Sequence, residues 1–432
     1  MPLSIRDRLP IACHAKMVIV LGAISLGLSA FASDYPEGRI VATDGAEGDH
    51  FGASVAIDGC DAIIGADSHS DNAGAAYFFR LRGEQWLEVT KVTASDVATG
   101  DRFGSYVSIS RNVAIVGVPH RAADAGAAYI FARSGSTWLQ AAKLTASDAK
   151  DGDYFGNAVS ISGDVVVVGA PHGDGNGNRS GAAYVFERRD TAWIQVARLF
   201  ASDAPPDQMF GCSASVSGQQ IVVGACWDDD KGVRSGAAYV YGREGATWRQ
   251  IAKLTSQDGA ADDRFGLSVS MSGSDVVVGT PLTSGRGKMT GSAYVFKSEN
   301  GKWRQVAKLK ASDEARENAF GADVHIAGEQ IVVSAPGLGF ATSQPGSAYV
   351  FRRLESQWKQ IAKLTAEASS KADDFATCVA NDGRYVLVGA SSADDKGPNS
   401  GTVFLFQLNH TCSQEQQRRK PPTDDSGPLN RK

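Results

Sequence analysis

The sequence predicts an all-β fold: a seven-bladed β-propeller of four-stranded antiparallel blades, closed by an N-terminal strand that completes the last blade. Three observations carry this reading. Phenylalanine recurs at Phe51, Phe103, Phe155, Phe210, Phe265, Phe320 and Phe375, each followed by glycine except Phe375, which precedes Ala376. Tyr77, Tyr129, Tyr184, Tyr239, Tyr294 and Tyr349 each stand nine residues before Trp86, Trp138, Trp193, Trp248, Trp303 and Trp358. The seventh copy carries Phe404 in the tyrosine place and ends without its Trp strand, while Arg39-Ile40-Val41-Ala42-Thr43-Asp44 matches Lys143-Leu144-Thr145-Ala146-Ser147-Asp148. A period of about 50 residues means a solenoid or a propeller. The missing last strand, present at the other end of the chain, means a ring that closes and so leaves no open sheet edge.

The third copy shows the strands. Phe155 to Ile161 alternates in side-chain character, which is a half-covered strand. Ser162-Gly163-Asp164 is a tight turn. Val165 to Val168 is an unbroken β-branched run, as expected of a strand covered on both faces. Ala182 to Phe186 is the third strand, Arg188 to Thr191 a turn, and Trp193 to Leu199 the fourth strand. The Asp-rich linker Ala201–Gln208 leads into the next copy. The six tryptophans at the repeat position are expected in the core. Trp227-Asp228 lies off the repeat position and does not support a WD40 reading.

The Phe155-Gly156 opening followed by Gly169-Ala170-Pro171 resembles the FG-GAP repeat, known from the N-terminal seven-bladed propeller of integrin α subunits. The resemblance spans residues 39–408. It implies calcium in D-x-D-x-D-G loops between the first two strands. Those places hold Asp58-Gly59, Arg111-Asn112, Ser162-Gly163-Asp164, Ser217-Gly218, Ser272-Gly273-Ser274, Ala327-Gly328 and Asp382-Gly383. They are too short to supply six to eight oxygens. No cofactor is therefore expected. Asp174-Gly175-Asn176-Gly177-Asn178 offers alternating oxygens as an alternative calcium loop, without the downstream bidentate Glu. The clustered linker acids Asp148, Asp151 and Asp153 are a second alternative, although Asp and Asn in such loops commonly cap turns; carboxylates such as Asp153 and Asp263 recur at one place in most copies and read as framework.

Residues 1–32 are expected to be a signal peptide. Arg6, Arg8 and Lys16 precede an apolar run from Met17 to Leu28, and Ala30-Phe31-Ala32 is an A-x-A cleavage site. The run is short for a membrane span. Residues 33–410 then form the propeller as one domain, and residues 411–432, rich in Gln, Arg, Lys, Pro and Asp, form a disordered tail. Export to the periplasm or the extracellular space follows, with no membrane span after cleavage and a monomer as the expected state. The formal net charge is −5; residues 1–32 and 411–432 each carry a net +2, which leaves −9 on the ring. That balance argues against nucleic acid and anionic membrane as partners.

Export permits disulfides. Cys212 and Cys226 flank one hairpin and are expected to be bridged. A second bridge, Cys60–Cys412, would clasp neighbouring blades. No nucleophile elbow, H-E-x-x-H or phosphate loop occurs. The length of the repeat varies only between its second and third strands, where the first two copies are three residues shorter than the others. Such loops gather on one face of a repeat protein, often the binding face. Trp227, Asp228, Asp229, Asp230, Lys231 and Arg234 form the most distinctive copy, and His172 and Arg179 share the face. The expected function is a non-catalytic binding or adhesion-type module for a protein or glycan partner. The alternatives are a carbohydrate hydrolase or lyase with a site in the central channel, and a structural component of an envelope or matrix assembly.

Overall fold

A computed structural model of the protein describes residues 37–408, apart from 176, 178, 204–205, 284–289, 314–317, 338–344 and 367–372. The expected signal peptide, the expected tail and Cys412 lie outside the described residues. Among the described residues no helix is long and apolar enough to cross a membrane.

Seven four-stranded antiparallel sheets make the seven blades. Blade three runs Ala158–Ser162, Val165–Ala170, Ala182–Arg189 and Ala192–Leu199. Its first strand starts later than the residue pattern suggests. Gly156 turns the chain with φ +101°, and Phe155 instead bridges Gly126 of the preceding blade. Its third strand runs to Arg189, which narrows the expected turn to Asp190-Thr191. Blade seven takes Phe375–Asn381, Tyr385–Ala390 and Thr402–Gln407 from the end of the chain and Glu37–Ile40 from its start. The borrowed strand pairs Glu37 with Phe406 and Ile40 with Val403, so closure by the N-terminal strand is observed.

The core lies between blades rather than within them. One cluster joins Val113, Ile115 and Ile130 of blade two to Val166, Val168, Tyr184 and Phe186 of blade three, with Phe155 among them. Phe155 is fully buried and meets Tyr184 and Phe186 edge to face, at 5.5 and 6.1 Å between ring centroids. Burying such a ring stabilises by about 1.5–3 kcal/mol, and the geometry adds to it.

The glycines let the blades approach this closely. A Cβ on Gly169 would lie 2.1 Å from the carbonyl oxygen of Gly211 in the next blade. At the equivalent place between blades six and seven both glycines are replaced, by Ser334 and Ala376. There the inner strand of blade six is shorter, and Ser334 Oγ accepts the Asp323 N–H at 2.7 Å.

Inner strands are edge strands, and their free N–H groups need partners. Serines supply them. Ser108 Oγ accepts from Ile161 N–H, Ser160 from Val216, Ser215 from Met271 and Ser270 from Ile326, each at 3.1–3.2 Å. The alternating serines on the inner strands of blades two to five are thus a ladder to the next blade.

The linkers complete the joint. Asp148 accepts the Tyr184 hydroxyl at 2.8 Å and pairs with Arg198 at 3.2 Å. Asp44, Asp96, Asp203, Asp258 and Asp313 take the hydroxyls of Tyr77, Tyr129, Tyr239, Tyr294 and Tyr349 in the same way. The repeat tryptophans, all expected in the core, all pack on the clusters between blades, but only two are buried within them. Trp138 and Trp248 are buried, whereas Trp86, Trp193, Trp303 and Trp358 are half-exposed. Their strand is the outermost of the blade and has one face toward solvent.

Removing residues 33–45 leaves the third strand of blade seven as an open edge and takes away Asp44. Differential scanning calorimetry should show the whole ring melting roughly 5 °C or more earlier. An unchanged melting temperature would contradict closure as a stabilising element.

Candidate functional site

The seven inner strands enclose a central channel of about 560 Å³, lined by small residues and by Tyr106, Asn157, Met209, Cys212, Trp227 and Arg264. The residue before each repeat phenylalanine stands where the linker enters the inner strand, and two of the seven, Met209 and Arg264, line this channel. It is His50, Arg102, Tyr154, Met209, Arg264, Ala319 or Asp374, and in every case φ is positive, between +52° and +56°. A left-handed backbone costs a non-glycine residue about 1–2 kcal/mol. Hydrogen bonds hold the conformation: Tyr154 N–H donates to Asp124 O at 2.7 Å, and Asn157 N–H to Tyr154 O at 3.1 Å. The repeat therefore fixes seven backbone positions around the mouth and places a different kind of side chain on most of them.

The loops between second and third strands open on the same face. His172 N–H bonds Asp153 O in the linker, and Trp227 N–H bonds Gln208 O. In blades one and two the shorter loops close as single turns, His69–Asn72 and Arg121–Asp124, each with three consecutive left-handed residues.

Side chains from linkers and loops meet around half of the mouth. Asp67 lies between His50 and Arg102, at 3.7 and 3.8 Å. Tyr154 packs edge to face on His120 and His172, at 5.5 and 4.9 Å. Arg179 reaches His172 Nδ1 at 3.2 Å and Asp207 at 3.9 Å. Burial and the Arg179 charge hold His172 below the ordinary histidine range, so it is neutral at pH 7. Arg234 stacks on Trp227 at 4.8 Å.

The structure separates the residues that the sequence singled out. Trp227 is half-buried and lines the channel, with Arg234 exposed over it. Asp229 is exposed, and its carboxylate caps the loop by accepting Arg234 N–H at 2.7 Å. Lys231 is exposed. Asp228 is buried: it accepts the Tyr239 hydroxyl at 2.7 Å and pairs with Lys253 at 3.0 Å, so it belongs to the frame. Asp230 joins the same lysine at 2.6 Å.

Cys212 and Cys226 are brought into side-chain contact, but as free thiols rather than the expected bridge. A bulge at Gly211-Cys212, between the pairs Phe210–Ala225 and Ser213–Gly224, takes Cys212 out of regular register. The bond it donates to Cys212, together with burial, holds the Cys226 thiol well above its ordinary range. The Cys60–Cys412 clasp falls outside the described residues.

The turns where the resemblance implies calcium do not fit the ion. Asp58 accepts Arg111 N–H of the next blade, and Asp382 accepts the N–H groups of Arg384 and Tyr385 at 2.9 and 2.8 Å. The linker carboxylates are likewise engaged: Asp153 accepts Lys150 N–H and Asp263 accepts Ala260 N–H, both at 2.9 Å. Among the described residues no group of three or more His, Cys, Asp or Glu side chains is placed to hold a metal ion. Asn176 and Asn178 of the alternative loop lie outside the described residues.

The FG-GAP repeat family matches the chain seven times, over residues 36–79, 86–131, 138–186, 193–241, 248–296, 303–351 and 358–406. The chain belongs to the FG-GAP repeat family. Each match starts at the outer strand of one blade, or for the first at the borrowed strand, and ends in the third strand of the next blade. No curated protein matches this FG-GAP propeller as a relative.

The residues that the loop pattern did not single out are Tyr106, Asn157, Met209 and Arg264. A signal for two of them was present: the position before the repeat phenylalanine changes in nearly every copy.

In blade six of the FG-GAP propeller, Asp323 and His325 stand where blade five has Ser268 and Ser270. Asp323 accepts N–H from Val324 and Val379 at 2.9 and 2.8 Å and the Ser268 hydroxyl at 2.9 Å, and burial raises its pKa. His325 faces Asn381 and is lowered by burial to about 4. A depressed histidine binds its proton in the unfolded chain first, so its contribution is full above pH 6.5 and is lost as pH falls toward 4. His325→Gln should therefore weaken the fall in melting temperature between pH 6.5 and 4. Thermal melts across that window check it, and an unaltered pH slope would refute it.

Proposed function

We propose that this FG-GAP propeller is an exported, non-catalytic interaction module that binds a protein or glycan partner through the channel-mouth face. The observation that carries the reading is the set of seven left-handed positions around the mouth, constant in backbone and different in side chain. A rigid frame presenting varied groups at one opening is the design of a recognition surface, and strained non-glycine backbone concentrates at functional sites.

Two further observations support it. Trp227 and the exposed Val233 give the blade-four loop an apolar element rimmed by Asp229, Lys231 and Arg234. That is the composition of an interface anchor. The acid and the histidine in the channel wall, Asp323 and His325, spend their hydrogen bonds on neighbouring blades, which favours binding over catalysis.

Asp229 caps its loop, so the test uses Trp227 alone. Trp227→Ala should weaken binding of a partner captured from envelope and extracellular fractions by about tenfold or more, with the melting temperature almost unchanged. Trp138→Ala, which removes a buried ring stacked on Phe78 at 4.2 Å, should instead cost about 3–5 kcal/mol of stability. Normal binding with early melting for the Trp227 variant would mean that the ring only supports its own loop.

Binding is further expected to be independent of calcium. Melts with and without EDTA should coincide. A site held at about 100 times its dissociation constant would add roughly 2.7 kcal/mol, so a clear drop on chelation would refute metal-free folding.

A further inference from the structure

We infer that the channel mouth takes an acidic saccharide, with the sugar carboxylate on Arg264 and the pyranose face against Tyr106 and Trp227. This rests on the binding-module reading and narrows it to one ligand class.

Arg264 is the starting point. It lines the channel beside Cys226, Trp227 and Leu267. Its guanidinium makes no hydrogen bond or ion pair with any described residue, and its buried Nε has no partner. Most other channel-face cations are committed: Arg102 to Asp67, Arg121 to Asp96 and Asp101, and Arg179 to Asp207. A partly buried cation without a counter-charge is costly, and a planar guanidinium suits a carboxylate with two parallel bonds. The ring as a whole carries −9, so a cation left free at the mouth is not explained by an excess of basic residues.

The wall below the mouth suits a sugar. Ser108, Ser160, Ser215 and Ser270 each accept an N–H from the next blade and donate to no described residue, so each keeps an O–H for the channel. Asn157 adds an amide. The wall is thus uncharged and rich in hydroxyls, with a few directional polar groups, and the volume falls in the range of small-ligand sites. The charged exception, Asp323, already accepts three hydrogen bonds through its two oxygens.

Aromatic surface is available at the same level. Tyr106 is 38% exposed, and its hydroxyl is 3.4 Å from Asn157 Oδ1. Although its edge is open, its desolvated place inside the channel beside Cys212 pushes its pKa up to about 12, and the neutral phenol is a donor at pH 7. Trp227, on blade four, lines the same channel. A flat apolar face, a row of hydroxyl donors and one free guanidinium match the three faces of a uronic acid: ring C–H groups, ring hydroxyls and carboxylate.

The test is tryptophan fluorescence and calorimetric titration of the purified chain with trigalacturonate, maltotriose and inorganic phosphate. Trigalacturonate should bind and perturb Trp227 emission, and maltotriose should bind at least about tenfold more weakly, the value of one charge-assisted contact. Arg264→Gln should remove that preference, Arg264→Lys should keep part of it, and Arg188→Gln, near the end of the third strand of blade three, should change nothing. Equal binding of maltotriose, unaltered binding by Arg264→Gln, or failure of trigalacturonate to bind would each overturn the inference. Phosphate competing as well as trigalacturonate would also overturn it, in favour of a phosphorylated ligand. Capture of a surface protein that depends on Trp227, with no saccharide bound, would sink the saccharide and leave the binding-module reading standing.

Discussion

Adjacent blades of this propeller touch backbone to backbone at their inner edges, and the rest of the structure depends on that contact. Gly169 approaches Gly211 so closely that no Cβ fits between them. The approach brings the repeat phenylalanine onto the tyrosine and the aromatic of its own third strand, and it brings each inner strand within reach of the serines of the blade before. Hydrophobic burial, edge-strand satisfaction and ring closure are three consequences of one steric condition. The seam between blades six and seven shows how it can be relaxed. Ser334 and Ala376 replace both glycines, and Asp323 takes over hydrogen bonding that serines and bare backbone provide elsewhere.

The same contact explains the mouth. To turn from the linker into the inner strand beside its neighbour, the chain passes through a left-handed residue just before each phenylalanine. The frame imposes that conformation and offsets its cost with paired backbone hydrogen bonds. The side chain at that position takes no part in the hydrophobic clusters between blades, so His50, Arg102, Tyr154, Met209 and Arg264 can differ without disturbing the ring. Stability and recognition are thereby assigned to different atoms of one repeat.

Much of this was legible in the residues. The phenylalanine period, the Tyr–Trp spacing and the displaced first strand lead to seven blades and to the closing pair of Glu37–Ile40 with Thr402–Gln407. The loop face was legible through its variable length, and Trp227 through its place off the repeat. Asp228 was not. It looks like its neighbours Asp229 and Asp230, yet it is buried under Tyr239 and Lys253. The tryptophans of the outer strand misled in the opposite direction, because a constant position does not say which face of an edge strand is covered.

By itself the sequence determined the blade count, the strand order, the closure and the shared face of the loops. These follow from period, alternation and the glycine positions, which are local properties of the chain. Tertiary structure alone decided which groups are free. Whether a cation such as Arg264 has a counter-charge, or an acid such as Asp228 is buried under a tyrosine and a lysine, depends on residues that only the fold brings near. That Cys212 and Cys226 meet as free thiols, with Cys212 bulged out of regular register, is likewise a property of the fold. Hydrogen-bond partners and burial are set by distances in space, and no single-sequence pattern encodes them.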